Sequence, residues 1–497
     1  LALSGGSTLQ IDAGGSLRVT GGGALDMDGT TLQTEEPVSL GIMTNSVVDV
    51  PFIKTGPGVL TLTGDFGTQT SGPVDLDILD GSVSATGNIQ LNISGTNVWD
   101  GNLTLDAADL EFHGSTVSGT GSIIAVSGSA TINSRFNGGE VNIGNTITLD
   151  SDLTVDAPTG DSQLFLNGVI SGPANLEKSG NGTVVLTADN TYLGTTTIDD
   201  NGTLFIGAGA GSTSGSLGVG DVIFADPDAT LQFQRDDAVV VPNLISGDGS
   251  VIQRGGTESS TTLSGLSTYT GVTAVRGGTL IATTISDYET PSSIGAAPES
   301  GALDPEQYLL IRDGGILSYT GPAATTNREF TLGGSGGGSI LNNGTGALEF
   351  TSDFAIGSDG NGTALRTLTL GGSAPDTSIM ALEIPDGEGD GFDPAPRGVT
   401  KTGTTTWSLT NPANSYTGPT TVEEGTLSLG SDFLDDLSTV SIAAAGTLDL
   451  PLGLGDTVDA LFLDGAQVDA GTYGSSSVTA VTLDVVDDTH FSGEGYL

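Results

Sequence analysis

The chain has 497 residues, of which 60 are acidic and 12 basic, giving a formal net charge of −48, and it contains no cysteine. The absence of cysteine excludes disulfide bonds, thiolate nucleophiles and cysteine metal sites. The acidic excess without a lysine or arginine cluster argues against nucleic acid and anionic lipid as partners. No run of 18 apolar residues exists for a membrane span, and the start at Leu1 leads us to expect an N-terminus removed by processing.

Short alternating strands separated by glycine turns begin near residue 1. Leu9, Leu17 and Leu25 are eight residues apart, and each opens a triplet that places two apolar side chains on one face of a strand. The intervening Gly14-Gly15 pair permits the positive φ angles of a tight turn. Asn-Gly and Asp-Gly pairs continue this pattern along the chain. We therefore predict an extended β array, in which residues 1–164 form N-terminal solenoid coils with one degenerate repeat.

A longer repeat lies over this background. In three segments a basic residue precedes a leucine by 26 residues, and these pairs are Lys178 and Leu204, Arg254 and Leu280, and Lys401 and Leu427. We predict that the three leucines point inward, because apolar residues flank them at strand spacing. A weaker copy begins at Ile53 and has Lys54 at the basic position. We expect the four cations to neutralise carboxylates on neighbouring coils.

Further motifs inside the copies identify the repeat. Tyr269-Thr270-Gly271 and Tyr416-Thr417-Gly418 mark a turn, and Gly202-Thr203-Leu204 closes the first clear copy. This pattern closely resembles the passenger-associated transport repeat, also called the autotransporter-associated β-strand repeat. The resemblance implies a secreted β-helix of a bacterial surface protein in which the repeat carries no catalytic residue.

The expected fold is all-β, a right-handed parallel β-helix (β-solenoid) with a small β C-terminal segment. Residues 165–455 are expected to hold the three clear repeats, and residues 456–497 to form a cap or an assembly end. Autotransporters end in a membrane β-barrel, and residues 456–497 are too few to form one. We therefore expect either that a barrel was removed or, as we prefer, that the chain belongs to the secreted branch of the family without a membrane barrel.

The candidate metal site is an acidic turn with Asp386, Glu388 and Asp390. Acidic residues at alternate positions before Gly391 resemble the first half of a calcium loop. The twelfth position of such a loop would be Arg397, where calcium requires a bidentate glutamate. The alternative, which we prefer, is an exposed acidic turn between strands.

The sequence offers no catalytic constellation. The two histidines, His113 and His490, are far apart, and neither stands near a lysine or arginine cluster at a defined spacing from acids. Sixty acidic residues make accidental carboxylate pairs inevitable, so such pairs alone carry no argument for glycoside hydrolysis. We therefore expect no catalytic residue and no cofactor other than the calcium candidate.

Three function classes follow, in order of preference. The first is a non-catalytic extracellular structural protein that self-associates head-to-tail into a fibre through strand edges at residues 1–32 and 481–486. The second is a cell-surface adhesin or secreted passenger that presents loops, such as residues 290–307, to a ligand. The third is a carbohydrate-active β-helix enzyme. The expected partners are further copies of the chain, with contact to polysaccharide or a cell surface left open, and the expected location is secreted, extracellular or on the cell surface.

Overall fold

The structure is a computed structural model that describes the strands between residues 2 and 86, and residues 90–497 except 129, 135–139, 302, 359–362, 388–394, 452 and 454. The described residues form β-strands and one short 3-10 helix, η1 (Pro305–Tyr308). Among them there is no helix with the length and hydropathy required to cross a membrane.

The chain divides into two compact units. The first comprises Leu1–Arg235 with Ser246–Gly249, and the second comprises Asp236–Ile245 with Ser250–Leu497. Within each unit, parallel strands stack coil upon coil, which confirms the predicted all-β solenoid. The boundaries at residues 164 and 455 and the right hand of coiling stay predictions.

The strands of the first unit are mostly two to six residues long. They are β1 (Ala2–Leu3), β2 (Thr8–Ile11), β3 (Leu25–Met27), β4 (Thr31–Thr34), β5 (Val38–Leu40), β6 (Met43–Thr44), β7 (Phe52–Thr55), β8 (Val59–Leu62), β9 (Leu76–Ile78), β10 (Ser82–Thr86), β11 (Gln90–Val98), β12 (Asn102–Asp106), β13 (Asp109–Ser118), β14 (Ser122–Ser127), β15 (Ala130–Ser134), β16 (Glu140–Ile143), β17 (Thr146–Leu149), β18 (Leu153–Asp156), β19 (Gln163–Leu166), β20 (Ile170–Ser171), β21 (Leu176–Ser179), β22 (Thr183–Leu186), β23 (Thr196–Ile198), β24 (Thr203–Ile206), β25 (Val222–Phe224) and β26 (Thr230–Phe233).

The second unit is also built mainly from short β-strands. Its strands are β27 (Ala238–Val241), β29 (Ser250–Gln253), β30 (Ser260–Leu263), β31 (Thr273–Val275), β32 (Thr279–Ala282), β33 (Leu309–Arg312), β34 (Ile316–Tyr319), β35 (Ala324–Thr326), β36 (Thr331–Gly333), β37 (Gly336–Asn342), β38 (Leu348–Phe350), β39 (Arg366–Gly372), β40 (Ser378–Met380), β41 (Arg397–Lys401), β42 (Thr406–Leu409), β43 (Thr420–Leu429), β44 (Thr439–Asp449), β45 (Ala460–Leu463), β46 (Ala466–Gln467), β47 (Tyr473–Gly474), β48 (Val485–Val486) and β49 (Phe491–Ser492). Strand β28 (Ile245–Gly247) falls where the residue ranges of the two units alternate.

Three parallel ladders run through the later coils of the first unit. One joins β15, β18, β21, β23 and β25, a second joins β16, β19, β22, β24 and β26, and a third joins β12, β14, β17 and β20. Side chains alternate along each strand, so Leu153 and Val155 are buried whereas Thr154 and Asp156 are partly exposed. Neighbouring strands in such a ladder are about 4.8 Å apart, and like positions of successive coils therefore form columns.

The predicted inward leucines are confirmed. Leu204, Leu280 and Leu427 are each 0% exposed. Leu204 lies between Val184 and Leu231 of the adjacent coils, and the other two occupy equivalent columns in the second unit. The interior is therefore built from stacked apolar side chains that are contributed once per coil.

The C-terminal segment departs from the coil pattern. Strand β45 pairs with β44 in parallel and with β46 in antiparallel, and β49 pairs with the other end of β44. The expectation of a strand over residues 481–486 is wrong, because only Val485–Val486 is a strand, paired with Tyr473–Gly474. The Asp484 carboxylate accepts a hydrogen bond from the Thr472 amide (2.9 Å), which turns this stretch back onto the segment.

We predict that Leu280→Asp lowers the stability of the folded chain by several kcal/mol, because it buries a carboxylate among apolar side chains with no cation to pair with it. Thr279→Asp is the matched control, since Thr279 is partly exposed and its side chain lies on the other face of β32. Thermal unfolding followed by circular dichroism measures both variants. A Leu280→Asp melt that superimposes on the parent would contradict the inward assignment.

Candidate functional site

The basic residue of the first clear repeat is buried. Lys178 is 1% exposed and lies in the inward column between Val155 and Ile198. Its ammonium donates a hydrogen bond to the carbonyl oxygen of Gly180. Burial lowers the pKa of Lys178 to about 8, although the charges of Asp156 and Asp200 act to raise it. The expected neutralisation by carboxylates is therefore incomplete, and a backbone carbonyl is the direct partner.

In the third copy three backbone carbonyl oxygens surround the buried ammonium, and we call this arrangement the cage. Lys401 is 0% exposed, and its Nζ donates to the carbonyl oxygens of Thr402 (2.8 Å), Gly403 (2.6 Å) and Glu424 (2.9 Å). An ammonium has three N–H donors, so these three carbonyls satisfy it. Burial lowers the pKa of Lys401 to about 8, against the opposing charge of Glu424. The cation thus holds the turn after β41 to the middle of β43, where the strand register shifts next to Glu424.

In the second copy the buried residue is not the one that the 26-residue spacing predicted. The residue at the caged position is Gln253, which is 0% exposed, whereas Arg254 points outward and is exposed. The Gln253 amide donates to Ser259 Oγ (2.8 Å) and accepts from Thr261 Oγ1 (2.6 Å). The equal offset of 26 residues pointed to Arg254, whereas the buried Gln253 precedes Leu280 by 27 residues. Lys54 lies in β7, and its side chain is outside the described residues.

The glycine of the closing Gly-Thr-Leu motif borders each cage. A Cβ on Gly202 would overlap Lys178 Nζ, and a Cβ on Gly425 would lie 2.8 Å from Lys401 Nζ. Gly425 also has a φ of +72°, which side chains rarely tolerate. The repeat therefore needs glycine at this position both for the turn and for the space that the caged donor occupies.

A tyrosine–threonine pair recurs in all three copies and was not recognised in the sequence. The hydroxyls of Tyr192 and Thr196 are 2.6 Å apart, and the corresponding pairs at Tyr269 and Tyr416 measure 2.7 and 2.9 Å. All three tyrosines are buried. Burial raises the pKa of Tyr269 to about 12, against the opposing hydrogen bond from Thr273. The Tyr-x-x-x-Thr spacing is the sequence signal for this pair.

A buried arginine, Arg328, holds a loop against the second unit. Arg328 donates to the carbonyl oxygens of Ser286 (2.9 Å), Ile294 (3.2 Å) and Gly295 (2.8 Å). Ser292, Ser293 and Ile294 are buried, so the prediction that residues 290–307 leave the solenoid is wrong for this part. The guanidinium bonds to one carbonyl before residues 290–307 and to two within them, which holds the first part of this stretch against the unit instead of leaving it in solvent.

The calcium candidate is only partly described. Asp386 accepts hydrogen bonds from the amides of Arg397 (2.9 Å) and Thr417 (3.0 Å) and from Thr417 Oγ1 (2.8 Å). Glu388 and Asp390 lie outside the described residues. Arg397 is itself fully buried and donates to the carbonyl oxygens of Ile356, Gly357 and Pro385. The calcium site stays a prediction, and within the described part no cluster of three metal-ligating side chains occurs.

His490 belongs to a hydrogen-bonded cluster of the C-terminal segment. Its Nδ1 lies 2.7 Å from Asp487 Oδ2, and its Nε2 lies 3.3 Å from Asp464 Oδ1. Burial acts to lower the pKa of His490, but the two carboxylates outweigh it and raise the pKa above its ordinary value. The imidazole thereby ties the turn at Asp464 to residues 487–490. His113 lies in β13, and its side chain is outside the described part of the chain.

A groove of about 410 Å³ lies on the C-terminal segment. Its walls include Asp456, Asp459, Asp469, Tyr473 and Tyr496. No histidine, lysine or arginine lines it. The groove therefore lacks the mixture of acid, base and cation from which a polysaccharide lyase or hydrolase site would be assembled.

Known proteins share the repeat and a long stretch of the chain. The passenger-associated-transport-repeat family matches residues 52–76, 176–205, 259–282 and 399–429. The third match begins after Gln253, in agreement with the irregular start of that copy. The chain therefore carries passenger-associated transport repeats, as the sequence predicted.

A curated relative is the BmaC autotransporter adhesin of Brucella suis biovar 1 (strain 1330). It is 32% identical over an alignment of 326 residues, and the alignment covers 58% of this chain. The aligned region spans 9% of the adhesin's own length. No solved structure matches the chain significantly.

We predict that Lys401→Met destabilises the folded chain by about 1–3 kcal/mol, because it leaves the carbonyls of the cage without a donor. Lys401→Gln is the matched control and is expected to lose less, since an amide fills the equivalent position in the second copy. Chemical denaturation of both variants provides the comparison. Equal stability of the methionine and glutamine variants would show that donation by the side chain is not what the cage requires.

Proposed function

We propose that this chain is a non-catalytic part of an adhesin-like passenger that bacteria secrete or display on their surface. The observation that carries the proposal is its 32% identity to an autotransporter adhesin over 326 residues, together with four passenger-associated transport repeats. A solenoid suits this role, because each coil adds length and places one more row of side chains on an outer face. Contact with a host or neighbouring cell surface is the proposed activity.

The interior and the clustered polar groups support a role without catalysis. The largest buried side chains include Trp99, Trp407 and Tyr192, which fill the coil interior and leave the outer faces for contact. The caged cations and His490 have hydrogen-bond partners that hold turns together. A catalytic site needs convergent acid, base and substrate-binding groups in a cleft. The described polar clusters serve the fold instead.

The proposal predicts that fluorescent microspheres coated with the purified chain adhere to epithelial cell monolayers more than albumin-coated microspheres do. Spheres coated with Leu280→Asp protein are the control for folding, and they should adhere weakly because the outer faces depend on intact coils. The same protein should not depolymerise pectin, alginate or chitin. Adhesion no greater than that of albumin would overturn the adhesive role, and turnover that survives repurification would overturn the non-catalytic one.

A second proposal is head-to-tail self-association. It is supported by the parallel stacking within each unit, because the terminal coil of any such stack presents backbone N–H and C=O groups that can pair with another strand. The net charge of −48 opposes association, so salt or divalent cations should strengthen it.

Light scattering tests self-association directly. We expect the apparent mass to rise with protein concentration, and to rise more at high salt, because screening removes the repulsion between acidic chains. Deletion of residues 1–19 should reduce association while circular dichroism still reports a folded solenoid. A monomeric mass at all concentrations, with salt and calcium present, would contradict the proposal.

A further inference from the structure

The basic side chains of this protein are divided sharply between interior and surface. The structure describes nine of them, and six are buried, namely Lys178, Arg235, Arg328, Arg366, Arg397 and Lys401. The three that are not buried are Arg254, Arg276 and Arg312, all in the second unit. In the described part of the chain, the accessible positive charge therefore comes from these three arginines.

The three arginines occupy one position on successive coils. Gln253 pairs with Val275, and Val275 pairs with Ile311, so the residues that follow them fall into a single column. The Arg276 amide donates to the Gln253 carbonyl (2.9 Å), which continues the register beyond the paired residues. With about 4.8 Å between neighbouring strands, Arg254, Arg276 and Arg312 form a basic stripe along the stack.

One carboxylate, that of Asp313, forms an ion pair with the basic stripe. Asp313 Oδ2 lies 3.0 Å from Arg312 Nε, and its Oδ1 accepts the Ser335 amide (3.0 Å). Burial acts to raise the pKa of Asp313, but the hydrogen bonds from Ser335 and Arg312 and the charges of Arg312 and Arg276 lower it below its ordinary value. Asp313 therefore stays ionised and holds Arg312 in place beside Arg276.

Glycines flank the stripe. Gly255 and Gly277 directly follow Arg254 and Arg276, Gly314 follows Asp313, and Gly334 lies on the next coil. The Cβ position of Gly277 faces the backbone oxygen of Gly255, so these turns run close together without side chains between them. A flat ligand can approach the guanidinium groups over this surface.

We propose that Arg254, Arg276 and Arg312 form a binding stripe for a polysaccharide that carries carboxylate or sulfate groups. Guanidinium groups bind such planar or branched oxyanions through paired N–H donors. This inference rests on the proposed adhesive function and names the class of surface ligand that it contacts.

The charge balance favours an acidic glycan over nucleic acid. Three accessible cations on a chain with a net charge of −48 cannot offset a phosphodiester at every nucleotide. A glycan with spaced anionic groups and many hydroxyls places less charge against the acidic surroundings. Its hydroxyls can also bond to the exposed backbone and polar side chains of the turns.

The test is isothermal titration of the full chain with a heparin-derived hexasaccharide at low ionic strength. The triple variant Arg254→Gln, Arg276→Gln, Arg312→Gln should bind about tenfold more weakly or worse, because each arginine supplies charge-assisted hydrogen bonds. The matched control carries Asn102→Asp, Asn181→Asp and Asn201→Asp, which changes the net charge equally at exposed positions of the first unit. The control should bind like the parent, and binding by the parent should weaken as salt is added.

Each outcome of this titration either supports or overturns the stripe. Loss of binding in the arginine variant alone, with melting curves unchanged in both variants, supports the stripe. No binding by the parent, or equal loss in the asparagine control, overturns it, and so does tighter binding of a single-stranded oligonucleotide than of the hexasaccharide. Microspheres that adhere to cells equally with and without the three arginines would refute the stripe as the adhesive site while leaving the adhesive function standing.

Discussion

The donation of hydrogen bonds by buried side chains to backbone carbonyls of the turns is the interaction on which this structure depends. Every coil must turn between ladders, and each turn removes carbonyl groups from regular strand pairing. A buried carbonyl without a donor costs free energy comparable to a lost hydrogen bond. Lys401 and Arg328 supply three donors each, and they reach segments that are 23 residues away at Glu424 and 34 residues away at Ile294. The stacked coils therefore depend on these hydrogen bonds where the backbone leaves regular strand pairing.

The three clear copies of the repeat share a buried, hydrogen-bonded polar side chain at the caged position and not a charge. Lys401 must be desolvated to occupy its cage, which is why burial lowers its pKa to about 8. Gln253 occupies the same buried position in the second copy with a neutral amide, which donates to the Ser259 hydroxyl and accepts from the Thr261 hydroxyl. A neutral donor avoids the desolvation cost but forms weaker hydrogen bonds. Both solutions coexist in one chain because each coil is stabilised mainly by its immediate neighbours.

Alternation of apolar residues was enough to predict the β-solenoid and the burial of Leu204, Leu280 and Leu427, because a one-residue shift would expose a whole column. It was not enough to assign the caged residue of the second copy. Counting from Arg254 gave the expected offset, but the Val251-x-Gln253 alternation was the better guide. The basic stripe could not be seen either, since its arginines are separated by turns and insertions of unequal length. Only the strand register brings them into one column.

The burial of most described cations has a consequence for how long the folded chain survives proteases. Trypsin-like proteases cleave after lysine and arginine, and cleavage requires a segment that can open into the enzyme's active site. Six of the nine described basic side chains are buried, and Lys178 and Lys401 donate to carbonyl oxygens shortly after the cleavable bond. The described part of the folded chain therefore exposes few sites to these enzymes, and its resistance to digestion follows from the same contacts that close its turns.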